Sequence, residues 1–308
     1  MTSVRLATFN VENLFARWKF HANVDPADVT QDGWSVDKTK FEEFSDTSKK
    51  ITGEAVREID AQVLCLQEVE GVDTLKRFRT KYLGGRKAYP FIAGIDGNDP
   101  RLIDVAVLSR LPITHVRSYQ HVLEPDGDGT LFSRDCLEVD VALADGKVLT
   151  VFVQHFKSMI GGRDTTRPRR ELQANAVKKI VTDRFGERAG EHPFAILGDL
   201  NDYRETDDQG QSGILDLLDW DQIKPVMERQ PTNEQWTHYW AGGDAHKQLD
   251  HLLLSRSLAT SSPAIPEIMR MGLPQRASRY TGPRFGGIGL DRPKASDHCP
   301  VVMDVELG

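Results

Sequence analysis

Short apolar runs recur along the whole sequence, and they restrict the possible folds more than any other feature. Several are rich in Val, Ile and Leu and are bounded by turn residues, which is typical of β-strands buried on both faces. The runs are Val4–Phe9, Val63–Leu66, Val105–Leu108, Val151–Val153, Phe194–Leu197, Leu249–Leu254 and Val301–Val305. Continuous apolar strands of this kind indicate a sheet whose faces are covered by helices.

Two segments between the runs have the spacing of amphipathic helices. Lys49–Ile59 and Arg169–Phe185 each place apolar residues on one helical face, and the second carries charge on the opposite face. Many strands with a few helices predict a layered α/β or α+β fold. Residues 16–48 and 256–294 are predicted to be long loops or insertions.

Composition sets limits on the class of protein. The chain has 308 residues, of which 39% are hydrophobic and 28% charged, and its net charge is −7. This length allows one large domain or two modest ones. No apolar run approaches the length of a membrane span, and the N-terminus lacks the layout of a signal peptide. We therefore expect a cytoplasmic protein, or a secreted one if a leader has been removed.

The three cysteines are predicted to be structural. Cys65, Cys136 and Cys299 lie in strand-like stretches, and none belongs to a CxxC pair. A small buried thiol at each position is a better interpretation than a disulfide or a zinc site.

Polar residues that suit metal or phosphate chemistry stand at the ends of these runs. Each one alone has an ordinary explanation as a solvated strand end or a turn residue. Together they repeat one pattern over most of the chain, and sheet proteins bring their active groups together at strand ends. The residues are Asn10, Glu68, His155, Asp199, Asn201, Asp250, Asp297 and His298.

The motifs around these residues resemble those of a known superfamily. TFNVENL, LQEVE, HFKS, GDLND, LDHLLLS and SDHCPV occur in the order expected of the endonuclease/exonuclease/phosphatase superfamily, which includes deoxyribonuclease I, repair nucleases, neutral sphingomyelinases and inositol polyphosphate phosphatases. The match runs from Thr8 to Val302, and the ordered set is far more specific than any single motif. The resemblance implies a four-layer α/β sandwich, with two packed mixed β-sheets flanked by helices, in a single domain over residues 1–308.

The candidate ligands predict the type of metal. Hydrolysis of a phosphate ester requires neutralised phosphoryl oxygens and an activated water. The set consists mainly of carboxylates and amides, without a cysteine or histidine pair at zinc spacing, and such a set suits Mg²⁺ or Mn²⁺. By resemblance, Glu68 is the principal metal ligand and Asn10 and Asp297 support it. Asp199 orients or deprotonates the water and can hold a second metal.

The resemblance also implies roles in substrate binding and proton transfer. Asn201 would donate hydrogen bonds to the phosphate, and Asp250 would orient His298 as a general base or a charged phosphate contact. His155 would protonate the leaving oxygen or bind the phosphate. Repair endonucleases of the superfamily commonly have tyrosine there, which argues against abasic-site activity. Arg134, in FSRDCLEVDV, is a candidate phosphate contact.

Four other polar positions are predicted to be structural. Asp202 is left as a turn residue, and Asp104 as a residue that begins a strand. His251 alternates to the face opposite Asp250, so we expect it to be structural. DGDG at 126–129 lacks the glutamate of a calcium loop and predicts a hairpin turn.

Two basic segments flank the motifs. Four arginines lie between Arg163 and Arg170, and six basic residues lie between Arg270 and Lys294. They predict a positive funnel for a polyanion, with solvated basic loops as the alternative. Trp240, Tyr280 and Phe285 are candidate stacking surfaces, or local packing residues.

The sequence therefore predicts a Mg²⁺- or Mn²⁺-dependent phosphodiester hydrolase, with a nuclease that cleaves DNA, or RNA, as the leading hypothesis. A nucleic acid is the expected partner, without a membrane, and no protein partner can be inferred. A phosphodiesterase or phosphatase acting on a small-molecule or lipid phosphate is the alternative, because the motifs are shared. A catalytically inert binding domain is disfavoured because the candidate residues are all present.

Overall fold

The computed structural model describes residues 2–20, 22–25, 41–43 and 47–308. Most of the insertion predicted over residues 16–48 lies outside these ranges. Its described part includes two short strands, Trp18–Phe20 and Phe41–Glu43, that pair antiparallel.

Both kinds of predicted element are confirmed. The strands, β1–β16 in chain order, are Thr2–Leu14, Trp18–Phe20, Phe41–Glu43, Val63–Val69, Phe91–Gly94, Asp104–Ser109, Ile113–Ser118, Cys136–Ala142, Val148–His155, Phe194–Asp199, Ile223–Pro225, His238–Trp240, Ala245–Lys247, Asp250–Ser255, Glu267–Ile268 and Val301–Leu307. The α-helices, α1–α5, are Thr47–Ile59, Val72–Tyr82, Arg163–Phe185, Leu215–Leu218 and Arg256–Ser261. Short 3-10 turns lie at Gly85–Lys87, Ala189–Glu191, Val226–Arg229 and Thr232–Glu234.

Helix α3 begins earlier than its apolar spacing predicts. The apolar spacing predicts a start at Arg169, directly after Pro168. The helix instead begins at Arg163 and contains Pro168. The whole of the first basic segment, 163–170, is therefore helical.

The strands form two mixed six-stranded sheets. The first has the order β15-β16-β1-β4-β6-β5, with β1 parallel to β4 and antiparallel to β16. The second has the order β11-β14-β10-β9-β8-β7, with β10 parallel to β9 and antiparallel to β14. Because parallel strands end at the same edge, β1 and β4 bring Asn10 close to Glu68, and β9 and β10 pair His155 with Asp199.

The two sheets pack face to face with helices outside. Val63 and Cys65 of β4 share one core with Val151 and Val153 of β9. The alternate residues of β4 face the other way and pack with α1 and α2, while α3 covers the outer face of the second sheet. Since successive strand residues point to opposite faces, burial on both sides explains the continuous apolar runs. This is the predicted four-layer α/β sandwich.

Smaller structural predictions are also confirmed. The three cysteines are buried and free. Asp104 begins β6, and the DGDG segment turns a hairpin in which Leu123 pairs with Thr130. None of the helices in the described ranges is long and apolar enough to cross a membrane.

A buried ion cluster joins α3 to the turn after β10, and it contradicts the prediction that the first basic segment faces a polyanion. The side chains of Arg163 and Arg170 are fully buried, and each Nε donates to a different carboxylate oxygen of Asp202 at 2.8 Å. The Gly213 amide donates to the same carboxylate at 2.7 Å. These arginines therefore neutralise an internal charge rather than face a polyanion, and Asp202 is an anchor rather than a simple turn residue.

The cluster fixes the turn that follows β10. Arg163 also donates to the carbonyl oxygen of Tyr203, and the buried His251 places Nε2 2.9 Å from the carbonyl oxygen of Asp202. His251 thus has the structural role expected of it. Because Asn201 directly precedes Asp202, the cluster holds that side chain in place as well.

Replacing Asp202 by alanine tests this interpretation. The Asp202→Ala variant removes the carboxylate shared by two buried guanidinium groups, of which only Arg163 keeps another, Asp207, so we expect the free energy of unfolding to fall by about 3–5 kcal/mol. Urea denaturation measures the change. As a control, Asp183→Ala removes an exposed pair with Lys179 on the same helix, and should cost about 0.5 kcal/mol or less. Equal, small effects in both variants would contradict the role of Asp202.

Candidate active site

The predicted site residues converge on one cavity of about 560 Å³ at the common edge of the two sheets. Seven of the nine candidates line it: Glu68, Arg134, His155, Asp199, Asn201, Asp297 and His298. Asn10 and Asp250 lie behind this surface, each hydrogen-bonded to a lining residue. The structure therefore brings the whole predicted set together.

Unusual backbone conformations position the side chains in this cavity. Glu68 and Asn201 have φ angles of 64° and 52°, in the left-handed region that non-glycine residues rarely adopt. At Gly198, with φ of 140°, a Cβ atom would lie 2.0 Å from the carbonyl oxygen of Gln154. Only glycine allows β10 to approach β9 this closely, which explains the GD motif directly before the catalytic candidates.

Asp199 is the hub of the site. Its Oδ1 accepts the Asn201 backbone amide at 2.8 Å, and its Oδ2 accepts the side-chain amides of Asn10 at 3.1 Å and Asn201 at 3.0 Å. Burial raises the pKa of this carboxyl to about 7, against the opposing charge of His298. The Asn201 side-chain amide also donates to the carbonyl oxygen of Phe156. To donate to a phosphate as predicted, it would have to give up its hydrogen bond to Phe156 or to Asp199.

His298 is held by a carboxylate and a hydroxyl. Its Nδ1 donates to Asp250 Oδ2 at 2.8 Å, and the Thr237 hydroxyl donates to the same oxygen at 2.7 Å. Thr237 Oγ1 in turn accepts the backbone amides of Leu249 and Asp250. Burial opposes protonation of His298, but Asp250 and Asp199 outweigh it and hold the pKa well above the ordinary value.

His155 lies on the other side of Asp199, and its pKa is shifted in the direction opposite to that of His298. Its Nε2 is 3.5 Å from Asp199 Oδ2 and 3.9 Å from Glu68 Oε1. Burial, with the nearby charge of Arg134, holds its pKa well below the ordinary value. A neutral imidazole and an imidazolium therefore flank one carboxylate, an arrangement typical of acid–base sites.

Carboxylates crowd the rest of the cavity. The Asn13 amide donates to Glu68 at 2.9 Å, and burial raises the pKa of Glu68. Glu12 also has a raised pKa, from burial and from Asp297, although Lys294 pairs with it at 2.9 Å. Burial is the larger cause of both raised pKa values and the charge of Asp297 adds to it, so a divalent cation in this cavity would stabilise the ionised carboxylates.

Two compact ligand groups occur among the described residues. Asp199, Asp250 and His298 form one, and His238, Asp297 and His298 form the other, each with ligand atoms within 4.8 Å of one another. Neither contains Glu68, the principal ligand implied by resemblance.

His238 was missed at the sequence level. Its ring centroid is 4.5 Å from that of His298, and burial lowers its pKa to about 4. It lies in the short β12–β13 hairpin, outside every apolar run. Nothing in its local pattern indicates that the hairpin pairs with the segment before β16.

Two arginines contribute positive charge to the cavity wall. The buried Arg134 pairs with Asp99 at 3.3 Å and donates to the carbonyl oxygen of Phe156. Arg101, which the sequence did not single out, pairs with the same carboxylate at 2.8 Å and also lines the cavity. Two guanidinium groups against one carboxylate leave a net positive charge at this wall.

The second basic segment does not form the predicted open funnel. Arg276 pairs with Asp291, and Arg292 and Lys294 both pair with Glu12. The other three arginines are also engaged with protein groups: Arg270 with Glu234, Arg279 with the carbonyl oxygen of Asn233, and Arg284 with three carbonyl oxygens of its own loop.

Of the three candidate stacking residues, only one lines the cavity. The Tyr280 hydroxyl donates to the carbonyl oxygen of Pro283, and Phe285 packs against the core around α1 and α2. Trp240 lies at the cavity and is 55% exposed.

Comparisons with known proteins agree with this fold. Residues 5–263 match the model of the endonuclease/exonuclease/phosphatase family. No curated protein sequence matches the chain.

Solved structures resemble this fold over 99% of the chain. Truncated TDP2 from Caenorhabditis elegans is 16% identical with a TM-score of 0.59, covering 99% of this chain and 98% of that one. The human nocturnin catalytic domain, with a bound sulfate anion, is 12% identical with a TM-score of 0.61, covering 99% and 94%. A family member from Bacteroides thetaiotaomicron is 15% identical with a TM-score of 0.60, covering 99% of both chains.

The opposite protonation of the two histidines is directly measurable. In metal-free protein at about pH 6.5, where a free imidazole is half protonated, we expect His155 to be neutral and His298 to be protonated. Nitrogen-15 chemical shifts of the imidazole rings report both states, with His155→Gln and His298→Gln for assignment. Identical titration of His155 and His298 would contradict the electrostatic description.

Proposed function

The chain belongs to the endonuclease/exonuclease/phosphatase family, and we propose that it is a divalent-metal-dependent phosphodiester hydrolase that acts on nucleic acid. The observation that carries this proposal is the placement of Asp199 Oδ2 between two imidazoles, 3.5 Å from His155 Nε2 and 3.9 Å from His298 Nε2, in a cavity that also contains Glu68. We further infer that residues 1–308 form one domain, because β1 and β16, near the two ends of the chain, pair in one sheet.

The residues fit a hard divalent cation. We assign the primary contact to Glu68, with Asn10 and Asp297 in support. Burial raises the pKa of Glu68, so a bound cation would stabilise its ionised form. The charges of His298 and Lys294 lower the pKa of Asp297 despite its burial, so this carboxylate is ionised and available as a ligand. Carboxylate and amide oxygens are preferred by Mg²⁺ and Mn²⁺. When bound, the cation would neutralise charge on the phosphoryl oxygens.

Asp199 is the proposed proton acceptor. A general base works best when its pKa lies near the working pH, and burial brings the pKa of Asp199 to about 7. The amide donors from Asn10 and Asn201 hold Oδ2 in place, so the carboxylate can orient a water as well as accept its proton.

The two histidines have different proposed roles. The charge on His298, kept by Asp250, suits a contact to the phosphoryl oxygens and is unsuited to a base in this state. His155 is neutral, so it would bind the phosphate or leaving oxygen through an N–H hydrogen bond. Arg134 and Arg101 would add electrostatic attraction for the substrate from the cavity wall.

Several features support a nucleic-acid substrate. The cavity combines the candidate phosphate contacts with Arg101, Lys247 and the exposed aromatic Trp240. The bound sulfate of the nocturnin domain is a tetrahedral anion, as a phosphoryl group is. A small-molecule or lipid phosphodiester is the alternative, since Ile160 and Met159 add apolar surface at the same cavity.

Two variants test the catalytic assignment. We expect Asp199→Ala and His298→Ala each to reduce turnover by about a hundredfold or more while circular dichroism shows an intact fold. The assay uses Mg²⁺ or Mn²⁺ with supercoiled plasmid, linear duplex, single strands, RNA and bis-(p-nitrophenyl) phosphate. EDTA-sensitive polynucleotide cleavage that both variants lose supports the nuclease proposal. Cleavage of the small diester alone would shift the substrate to a small or lipid phosphate, and near-native turnover in both variants would remove these residues from the mechanism.

The metal assignment has a test that does not depend on activity. Glu68→Gln removes the main charged ligand, so we expect Mn²⁺ affinity, measured by calorimetry, to fall about tenfold or more. The matched control is Glu171→Gln, on the exposed face of α3, which should bind Mn²⁺ as the wild type does. Unchanged affinity in Glu68→Gln would rule out this ligand.

A further inference from the structure

Trp240 is an exposed aromatic residue beside the catalytic candidates. It is 55% exposed, and Ile160, which lines the same cavity, is 76% exposed. Eight large apolar side chains are exposed among the described residues, and Trp240 is the one aromatic among them. A large apolar group left in water at a cavity of this kind indicates a surface that a ligand covers.

The turn of its own hairpin lies close to the indole of Trp240. A Cβ atom on Gly242 would lie 2.9 Å from Trp240 Cε2, and one on Gly243 would lie 2.4 Å from Cζ3. A side chain at either glycine would therefore force the indole to move. The turn backbone thus contributes to the position of the ring before a ligand arrives, which limits the conformational entropy lost on binding.

The same hairpin is tied to the catalytic candidates. The Tyr239 amide donates to the carbonyl oxygen of Asp297 at 2.9 Å, and the Cys299 amide donates to that of Thr237 at 2.6 Å. Thr237 also donates to Asp250, the partner of His298. The position of Trp240 relative to the phosphate site is therefore set by backbone hydrogen bonds rather than by a free loop.

We propose that Trp240 is the platform of a nucleobase subsite, on which a base next to the reacting phosphate stacks; this rests on the proposed function. A base inside a duplex has both faces covered by its neighbours, so only an unpaired or terminal base can present a face to the indole. The enzyme is therefore selective for single-stranded or frayed nucleic acid over intact duplex. Ile160 supplies further apolar surface at the same cavity.

The charge distribution agrees with recognition close to the reacting phosphate. The basic residues of the 270–294 segment are engaged by protein groups, as described above, and the net charge of the chain is −7. A long duplex held by its phosphates needs an extended basic surface. A short stretch of unpaired strand, with a stacked base beside the reacting phosphate, does not.

The test is a binding measurement without turnover. Fluorescein-labelled oligothymidylate and a matched abasic strand are titrated in EDTA with wild type, Trp240→Ala and Trp240→Phe, using fluorescence anisotropy. We expect wild type to bind oligothymidylate about tenfold tighter than the abasic strand. Trp240→Ala should lose this difference and Trp240→Phe should retain most of it. Leu290→Ala, which removes an exposed apolar side chain that does not line the cavity, should behave as wild type.

Failure of the subsite is distinguishable from failure of the proposed function. If wild type cleaves polynucleotides but Trp240→Ala still binds oligothymidylate tenfold tighter than the abasic strand, the subsite is wrong and the function stands. If wild type cleaves no polynucleotide, the proposed function itself fails. Binding to phosphatidylcholine–sphingomyelin vesicles that depends on Trp240 would also overturn the nucleobase assignment. A preference for single strands over duplex in cleavage, reduced in Trp240→Ala, supports it.

Discussion

The site depends on one desolvated carboxylate, that of Asp199, at the edge where the two sheets meet. Asn10 reaches it from the first sheet, and His155 and Asn201 contact it from the second. Burial makes its negative charge costly, and the amides of Asn10 and Asn201 and the imidazoles of His155 and His298 offset that cost against the nearby carboxylates of Asp250 and Glu68. The sandwich therefore positions chemical groups that come from distant parts of the chain around a single buried carboxylate.

The parts of the structure that depend on local burial could be read from the sequence. The apolar run Phe194–Leu197 is continuous because the first sheet covers one face of β10 and α3 covers the other. Such a run predicts a buried strand from the sequence alone. Their positions at strand ends, and the ordered motifs of the family, then predict that Glu68 and His298 share one site. The conformation of the loops is not needed for this prediction. Gly198 is explained only by the structure, through the close approach of β10 to β9.

The parts that depend on long-range polar pairing could not be read in this way. The spacing of Arg163 and Arg170 is the same whether they face water or a buried carboxylate, and their partner, Asp202, lies 39 and 32 residues away in the chain. His238 gives no signal because its importance comes from pairing between a hairpin and the segment before β16. A run of basic residues in the sequence shows how many charges are present. Tertiary contacts decide which of those charges are paired with carboxylates and which face the solvent. This is why the predicted basic funnel was wrong while the predicted site residues were found together.

The proposed function requires a divalent cation beside Asp199, held by Glu68, Asn10 and Asp297. Anomalous diffraction from crystals soaked in Mn²⁺ tests this most directly, because it locates the ion without reference to activity or substrate. We expect a strong anomalous peak within coordination distance of the Glu68 carboxylate and of Asn10 or Asp297. A peak confined to the group of His238, Asp297 and His298, or no peak in the cavity at saturating Mn²⁺, would contradict it.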